Sequence, residues 1–348
     1  VTAVRRSGFA VVLVTSGSIG VGAAAIQKQD RPTKSAEKRA VAAIGQSILM
    51  STYSDMFATN GQRVAQVLLS RSDFGVRSQY VNAENTLNEL LRFGVIPIVN
   101  EDDTSTSDDS STKFGDNDSL SALVAGLLHA SWLFLLTDVD QLYTANPRTN
   151  PDATPVDIVS DINALDADVG GGAGCGWGTG GMATKITAAR LATAAGVRVC
   201  VCNGQEPSRL LAFVAAAAPE TTTSSSTAGL GTVFLERPVD QLITGRKRWI
   251  AQGLAVRGEV ELDAVSELAV REGKSVFTQG VVSIRGEFPA DSAVALVDSD
   301  RKEIARALVN LPSLSLDRIK GCHSKEASAI LGDQVADEAV HRDNIVLL

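Results

Sequence analysis

The chain has 348 residues with 44% hydrophobic but only 5% aromatic content, which suits an Ala-, Val- and Leu-rich α/β core, with room for one large domain and a smaller one. A formal net charge of −8 argues against general affinity for nucleic acid or anionic membranes, and no apolar run approaches the roughly 20 residues that span a bilayer. Four cysteines and three histidines fall in no zinc-binding spacing, so a reduced, cytoplasmic setting without a zinc centre is expected.

Val1 to Ser7 reads as the tail of a helix stopped by Gly8, and Val11 to Val14 as a buried strand. The turn Thr15-Ser16-Gly17-Ser18-Ile19-Gly20 leads into a helix at Val21 to Ile26. Such a Ser/Gly-rich turn can offer a hydroxyl and backbone N–H groups to an anion, or be a plain turn. Ser35 to Asn60, Ala-rich and free of proline, predicts a long helix with Gly61 as its stop. Val64 to Leu69 is the next strand. Asn82 to Phe93 sets Leu87, Leu90 and Leu91 on one face, an amphipathic helix ending at Gly94. Val95 to Val99 is a further buried strand, followed by Asn100, Glu101, Asp102 and Asp103. Asp102 to Thr112 has no apolar residue and should be a mobile loop over the site.

Gly115-Asp116-Asn117-Asp118 opens the Ala- and Leu-rich segment Leu120 to Leu128, which has the content of a buried helix. Two carboxylates and an amide at such a junction can cap the helix or meet a ligand. Trp132 to Leu136 is a strand ended by Thr137 and Asp138. Polar groups at the ends of successive buried strands lie where open α/β sheets bind ligands. Gln141 to Pro155 is turn-rich, as a loop near a nucleotide would be. After a glycine run over 170–176, Gly178-Thr179-Gly180-Gly181-Met182-Ala183-Thr184-Lys185 combines flexible backbone, hydroxyls and a cation at the start of a helix that runs to Ala195, with Gly196 as stop. Phosphate at a helix N-terminus has a physical basis, although neither the P-loop nor the dinucleotide fingerprint is matched. Val197 to Cys202 is the next strand, with Cys200 and Cys202 as buried thiols. The Ala- and Thr/Ser-rich tract over 215–229 reads as a loop, Gly231 to Phe234 as a short strand, and Arg246-Lys247-Arg248-Trp249 as a solvated linker or interdomain contact.

From Gly258 the pattern shortens. Period-two alternation at Gly258 to Leu262, and in parts of Val281 to Ile284 and Ala293 to Val297, with one helix turn at Ser315 to Lys320, predicts a small β-rich domain over 258–348. Residues 1–247 should form a three-layer α/β sandwich with a mostly parallel central sheet. From Gly258 on, 10 Lys and Arg stand against 16 Asp and Glu, a balance unsuited to RNA binding. His323 and His341 read as structural.

Taken together these motifs resemble the glutamate 5-kinase family of amino-acid kinases. The resemblance rests on Val14-Thr15-Ser16-Gly17, Gly45-Gln46, Asn82-Ala83, Asn100-Glu101, Gly115-Asp116-Asn117-Asp118, Thr137-Asp138, Leu142-Tyr143-Thr144-Ala145, Gly178-Thr179-Gly180-Gly181-Met182, Arg246-Lys247-Arg248-Trp249, His323-Ser324 and Val340-His341-Arg342-Asp343. It implies a C-terminal PUA domain, ATP with Mg²⁺ as cofactors, and phosphorylation of the γ-carboxylate of L-glutamate at the start of proline synthesis. It also implies that Ser16, Asp103 and Asn117 hold glutamate, with Asp103 suited to the ammonium group. Thr137, Asp138, Thr179, Gly180, Gly181, Met182, Ala183, Thr184 and Lys185 would form the ATP side, with Lys185 and Asp118 catalytic. Asp118 or Asp138 would orient the Mg²⁺ shell or a lysine. The family's first strand, with its Val-Lys-x-Gly-Ser phosphate loop, would lie before Val1. Feedback by proline and a homo-oligomer are further expectations. A sister kinase for acetylglutamate or aspartate would share the fold, and a binding or regulatory protein with impaired catalysis would share the residues; both stay open here.

Overall fold

The computed structural model describes residues 1–104, 116–145, 150, 152–162, 165, 181–216, 229–238, 242–243, 245–331 and 338–347. The chain divides into two compact units, residues 1–73 with 78–242, and residues 74–77 with 243–348. The first runs α1 (Thr2–Arg6), β1 (Leu13–Val14), α2 (Ser18–Ala25), α3 (Ser35–Ala58), β2 (Val64–Leu69), α4 (Arg71–Gly75), α5 (Arg77–Arg92), β3 (Ile96–Glu101), α6 (Asn117–Leu127) and β4 (Trp132–Thr137). It continues through β5 (Leu142–Tyr143), β6 (Pro155–Val156), β7 (Ile158–Val159), α7 (Met182–Ala194), β8 (Arg198–Asn203), α8 (Arg209–Ala216) and β9 (Thr232–Phe234).

Among the described residues β1, β3 and β2 form one parallel sheet in that order, and β4, β8, β9 and β7 another. In the second, β4–β8 and β7–β9 are parallel and only β8–β9 is antiparallel. Parallel strands covered on both faces need near-continuous apolar sequence, and β3 and β8 supply it: Ile96, Ile98, Val99, Val199, Cys200, Val201 and Cys202 are all fully buried. The mostly parallel α/β architecture expected from the sequence is therefore present.

Several boundaries moved. β1 is two residues long and not four, and α5 begins at Arg77, ahead of Asn82. Its buried positions explain the longer helix: Tyr80 and Leu87 are seven residues apart on one face. Helix α8, not foreseen, covers β8 by burying Phe213 against Cys200, Cys202 and Val233. A hydrogen bond to Cys202 and burial both push the Cys200 thiol up, which leaves it an inert packing group.

Helices α2 and α3 touch backbone to backbone. A Cβ on Gly22 would fall 1.9 Å from Val41 O, and one on Gly45 would fall 1.7 Å from Ser18 O. This contact seats the N-terminus of α2 beside the end of β1, where the site lies.

At the sheet margin, Arg198 stacks over the Trp132 ring at 5.3 Å and donates two hydrogen bonds to Glu236, at 2.7 and 2.6 Å. The guanidinium holds the Glu236 carboxyl below its usual range, against the opposing effect of burial. A carboxylate whose folded pKa is depressed stabilises the fold above its unfolded pKa, and that contribution fades as pH falls through the folded value. Both side chains are about a third exposed, so the pair resembles a surface bridge. Glu236→Gln is expected to cost about 0.5–1 kcal/mol at pH 7, shrinking once pH drops below ~4. Urea unfolding of both proteins at pH 7 and pH 3.5 checks this; a pH-independent difference would contradict it.

The second unit starts with α9 (Gly245–Arg248) and a π-helical turn at Trp249–Gly253. Then come β10 (Glu259–Leu262), α10 (Ala264–Arg271), β11 (Val276–Phe277), β12 (Val281–Arg285), β13 (Ala293–Val297), β14 (Glu303–Leu308), α11 (Ser313–Ile319), α12 (Ser324–Leu331), β15 (Glu338–Val340) and β16 (Ile345–Leu347). Five strands pair in the order β12-β10-β13-β14-β16, with only β10–β13 parallel, while β11 pairs with β15. The basic triplet before them is not wholly solvated. Arg248 is buried with Nε donating to Ile243 O at 3.1 Å, and Trp249 Nε1 donates to Phe74 O at 2.9 Å. His341 Nδ1 accepts from Asp343 N at 3.2 Å. Among the described residues no helix is long and apolar enough to cross a membrane.

Candidate active site

The site begins where β1 ends. Thr15 N donates to Val99 O at 2.9 Å, prolonging the β1–β3 ladder, and the Thr15 hydroxyl meets Tyr53 of α3 at 2.7 Å. Gly17, at φ +105°, lets the chain turn sharply into α2. Ser16 is exposed at the apex of this turn, whereas Ser18 is buried and donates to Asp103 Oδ2 at 3.0 Å. Asp103 is thereby fixed just beyond β3. Ser18 was not foreseen as part of the site; its signal was the second serine of Ser-Gly-Ser, placed where a helix starts.

Behind the turn runs a chain of amides. Gln46 Nε2 donates to Gln66 Oε1 at 3.0 Å, Asn100 Nδ2 to Gln46 Oε1 at 2.9 Å, and Asn117 Nδ2 to Asn100 Oδ1 at 2.9 Å. Asn117 Nδ2 also donates to Thr15 O. Asn100 is 2% exposed, and a buried amide must have partners. The chain therefore locks the Asn117 side chain against the β1 turn. Ser16 lies between two anchored neighbours, with Thr15 O held by Asn117 and Ser18 holding Asp103.

Asp116 is the N-cap of α6, accepting from Ser119 N at 2.6 Å. Asp118, two residues on, points elsewhere. Its carboxylate accepts from Lys185 Nζ at 3.2 and 3.1 Å and from the Thr184 hydroxyl at 2.7 Å. Thr184 Oγ1 in turn accepts from Gly181 N at 3.0 Å. The Lys185 and Asp118 side chains are only 12% and 17% exposed, so the pair is nearly dry. Adjacent residues at the start of α6 thus serve two places: Asn117 the β1 turn, and Asp118 the first turn of α7.

Met182 packs on the core of the β4–β8 sheet, and Ala183 is exposed on the same turn of α7. Thr137 and Asp138 stand at the end of β4, where Thr137 Oγ1 donates to Asp138 Oδ1 at 3.2 Å. Beside them Asp140 accepts from Asn203 Nδ2 and Arg209 Nη1, both at 3.1 Å. A helix leading into a parallel strand has its N-terminus at the edge where the neighbouring strand ends. Lys185 and Thr137 therefore share an edge of the sheet. Gly115, Thr179, Gly180, the glycine run at 170–176 and most of the acidic loop lie outside the described residues.

Residues 1–203 match the amino acid kinase family, and residues 258–331 match the PUA domain. The chain belongs to the amino acid kinase family. Among its relatives is the glutamate 5-kinase of Synechococcus elongatus, 49% identical over 344 residues that cover 99% of this chain and 90% of that protein. The glutamate 5-kinase of Nostoc punctiforme is likewise 49% identical over 345 residues, again 99% and 90% of the two chains. Among solved structures, the isopentenyl phosphate kinase of T. acidophilum is 18% identical, covering 64% of this chain and 83% of that one with a TM-score of 0.42.

Proposed function

We propose that this protein transfers the terminal phosphoryl group of ATP to the γ-carboxylate of L-glutamate, forming L-glutamyl 5-phosphate for proline synthesis. The observation that carries this is the near full-length likeness, at 49% identity, to glutamate 5-kinases. An amino-acid kinase domain over 1–247 and a PUA-like domain over 258–348, a cytoplasmic location, feedback by proline and self-association belong to the same proposal.

The arrangement on the two sides of α6 supports the roles. Glutamate would lie against the β1 turn, with its ammonium group on Asp103 and polar contacts from Ser16 and Asn117. ATP would lie at the sheet edge, against Thr137, Asp138 and the 179–185 segment. The attacking γ-carboxylate is already ionised near neutral pH, so no general base is required. The protein's work is to bring two anions into line and to offset charge on the transferring group. Lys185 offers its ammonium for that purpose, and Asp118 and Thr184 fix where it points. Mg²⁺ on the nucleotide phosphates would neutralise further charge. Such an ion keeps several waters and takes one or two carboxylates, so it requires no cage of three protein ligands. With Asp118 engaged by Lys185, Asp138 is the carboxylate assigned to that shell.

Asp103→Ala is expected to raise the glutamate KM by about 10- to 100-fold, the loss of a charged hydrogen bond of ~1.5–3 kcal/mol, with kcat within about threefold because the ammonium end does not react. Steady-state kinetics at saturating ATP decide it, and an unchanged KM would remove Asp103 from this role. The reaction itself is tested by ADP release with glutamate, aspartate and acetylglutamate in parallel. Glutamate should exceed both others in kcat/KM by at least ~100-fold; preference for either of them would assign the chain to a sister kinase.

A further inference from the structure

The sheet of the second unit carries a cleft of about 520 Å³ that phosphoryl transfer does not use. It is an open cleft lined by Gly258, Ala295 and Val297 together with Arg257, Arg285, Arg301 and Arg306 and with Glu259 and Glu303. Four arginines here run against the charge of their own domain, which from Gly258 on has 10 Lys and Arg to 16 Asp and Glu.

The strand register explains the clustering. Glu259 is opposite Arg285 on β12 and Ala295 on β13, and Ala295 is opposite Arg306 on β14. Directly opposed residues share a face, so Arg285, Glu259, Ala295 and Arg306 form one row, with the short Ala295 leaving the gap. Close backbone contact sets Arg257 beside Arg285. A Cβ on Gly258 would lie 2.4 Å from Arg285 O, and one on Gly286 would lie 2.6 Å from Arg257 O. Arg257 N is pinned to Ala293 O at 2.8 Å.

The two glutamates are already taken. Arg301, held at φ +65° where side chains other than glycine are strained, bonds Glu259. Arg306 donates to Glu303 Oε1 at 2.8 Å and to Ala251 O at 2.6 Å. Arg257 and Arg285 are exposed, and neither has an acidic partner among the described residues. We propose that this cleft binds a small dianion, a phosphate monoester or a dicarboxylate, gripped by the two free guanidinium groups with Arg306 further along the same row. Planar guanidinium groups bind such oxyanions in bidentate fashion. The acidic excess of the surrounding domain disfavours a polyanion such as RNA.

Calorimetric titration of the whole protein with inorganic phosphate and, separately, with succinate tests the site, with ADP and glutamate present to occupy the kinase site. At least one probe should bind with a Kd below ~10 mM, and the double variant Arg257→Gln/Arg285→Gln should weaken it about tenfold or more. The probe whose affinity falls names the ligand class. Arg271→Gln, an exposed arginine of α10 paired with Glu267, should change nothing, and both variants should keep wild-type kinase activity. Arg285→Gln alone serves if the double variant is unstable. Binding of both probes undiminished in the variants, or of neither to the wild type, overturns the proposal. So does Arg257- and Arg285-dependent binding of a single-stranded oligouridylate without either small anion, which would make the face a nucleic-acid surface.

Discussion

Lys185→Ala should lower kcat by ~10²–10³-fold, the usual loss when a charged group that meets developing negative charge is removed, with the glutamate KM within about threefold. The geometry separates these effects. Lys185 is on α7, tied to Asp118, whereas the residues assigned to glutamate are anchored to the β1 turn. The substitution also strands the largely buried Asp118 carboxylate beside Thr184. Thermal melts must therefore accompany the kinetics, and Asp118→Asn serves as a companion. It should keep a partner for Thr184, release the lysine, and lower kcat by a smaller factor. A kcat within about twofold of wild type for Lys185→Ala, in a folded protein, would remove Lys185 from the chemistry.

Gly45→Ala is expected to be the most damaging of the small substitutions. On helix propensity alone the change should help by about 1 kcal/mol. Packing reverses the sign. The new methyl would lie 1.7 Å from Ser18 O and 2.6 Å from Gly22 N, both backbone atoms that cannot swing aside. Helix α2 must move off α3, at about 3 kcal/mol or more, seen as a fall in Tm of roughly 6–12 °C for a domain of this size. Because Ser18 opens α2 and holds Asp103, the glutamate KM should rise with it. Gly20→Ala, on the partner helix α2, is the matched control. No atom lies within 4 Å of its added Cβ, so it should be neutral or stabilising by up to ~1 kcal/mol. Equal behaviour of the two variants would show that the α2–α3 contact has room for a methyl group.

These two cases show what could be read from residues alone. The parallel α/β core was legible because β3 and β8 are unbroken apolar runs and α6 is Ala- and Leu-rich. Gly45-Gln46 was visible as a motif, but not its reason. Close approach of two backbones, and an amide chain from Gln66 to Asn117, join residues up to 71 positions apart, counting from Gln46 to Asn117, and pattern has no access to such distances. The division of labour at Gly115-Asp116-Asn117-Asp118 was equally hidden. Asp116 caps, Asn117 braces the β1 turn and Asp118 holds Lys185, yet all three are polar residues at one helix start. In the second unit, β14, β15 and β16 were not read individually, because three- to six-residue strands carry little periodicity. The basic triplet left a solvated linker and an interdomain contact both open, because charge alone does not say which arginine turns inward; Arg248 is buried, its Nε donating to Ile243 O.

Phosphate from ATP should land on the side-chain carboxylate of glutamate. Incubation of the protein with ATP, Mg²⁺, L-glutamate and hydroxylamine, followed by separation of the products, tests it most directly. The predicted result is γ-glutamyl hydroxamate in one-to-one proportion with ADP, absent without ATP and reduced by ~10²-fold or more in Lys185→Ala. ADP formed without γ-glutamyl hydroxamate, or the same yield from Lys185→Ala, would contradict it.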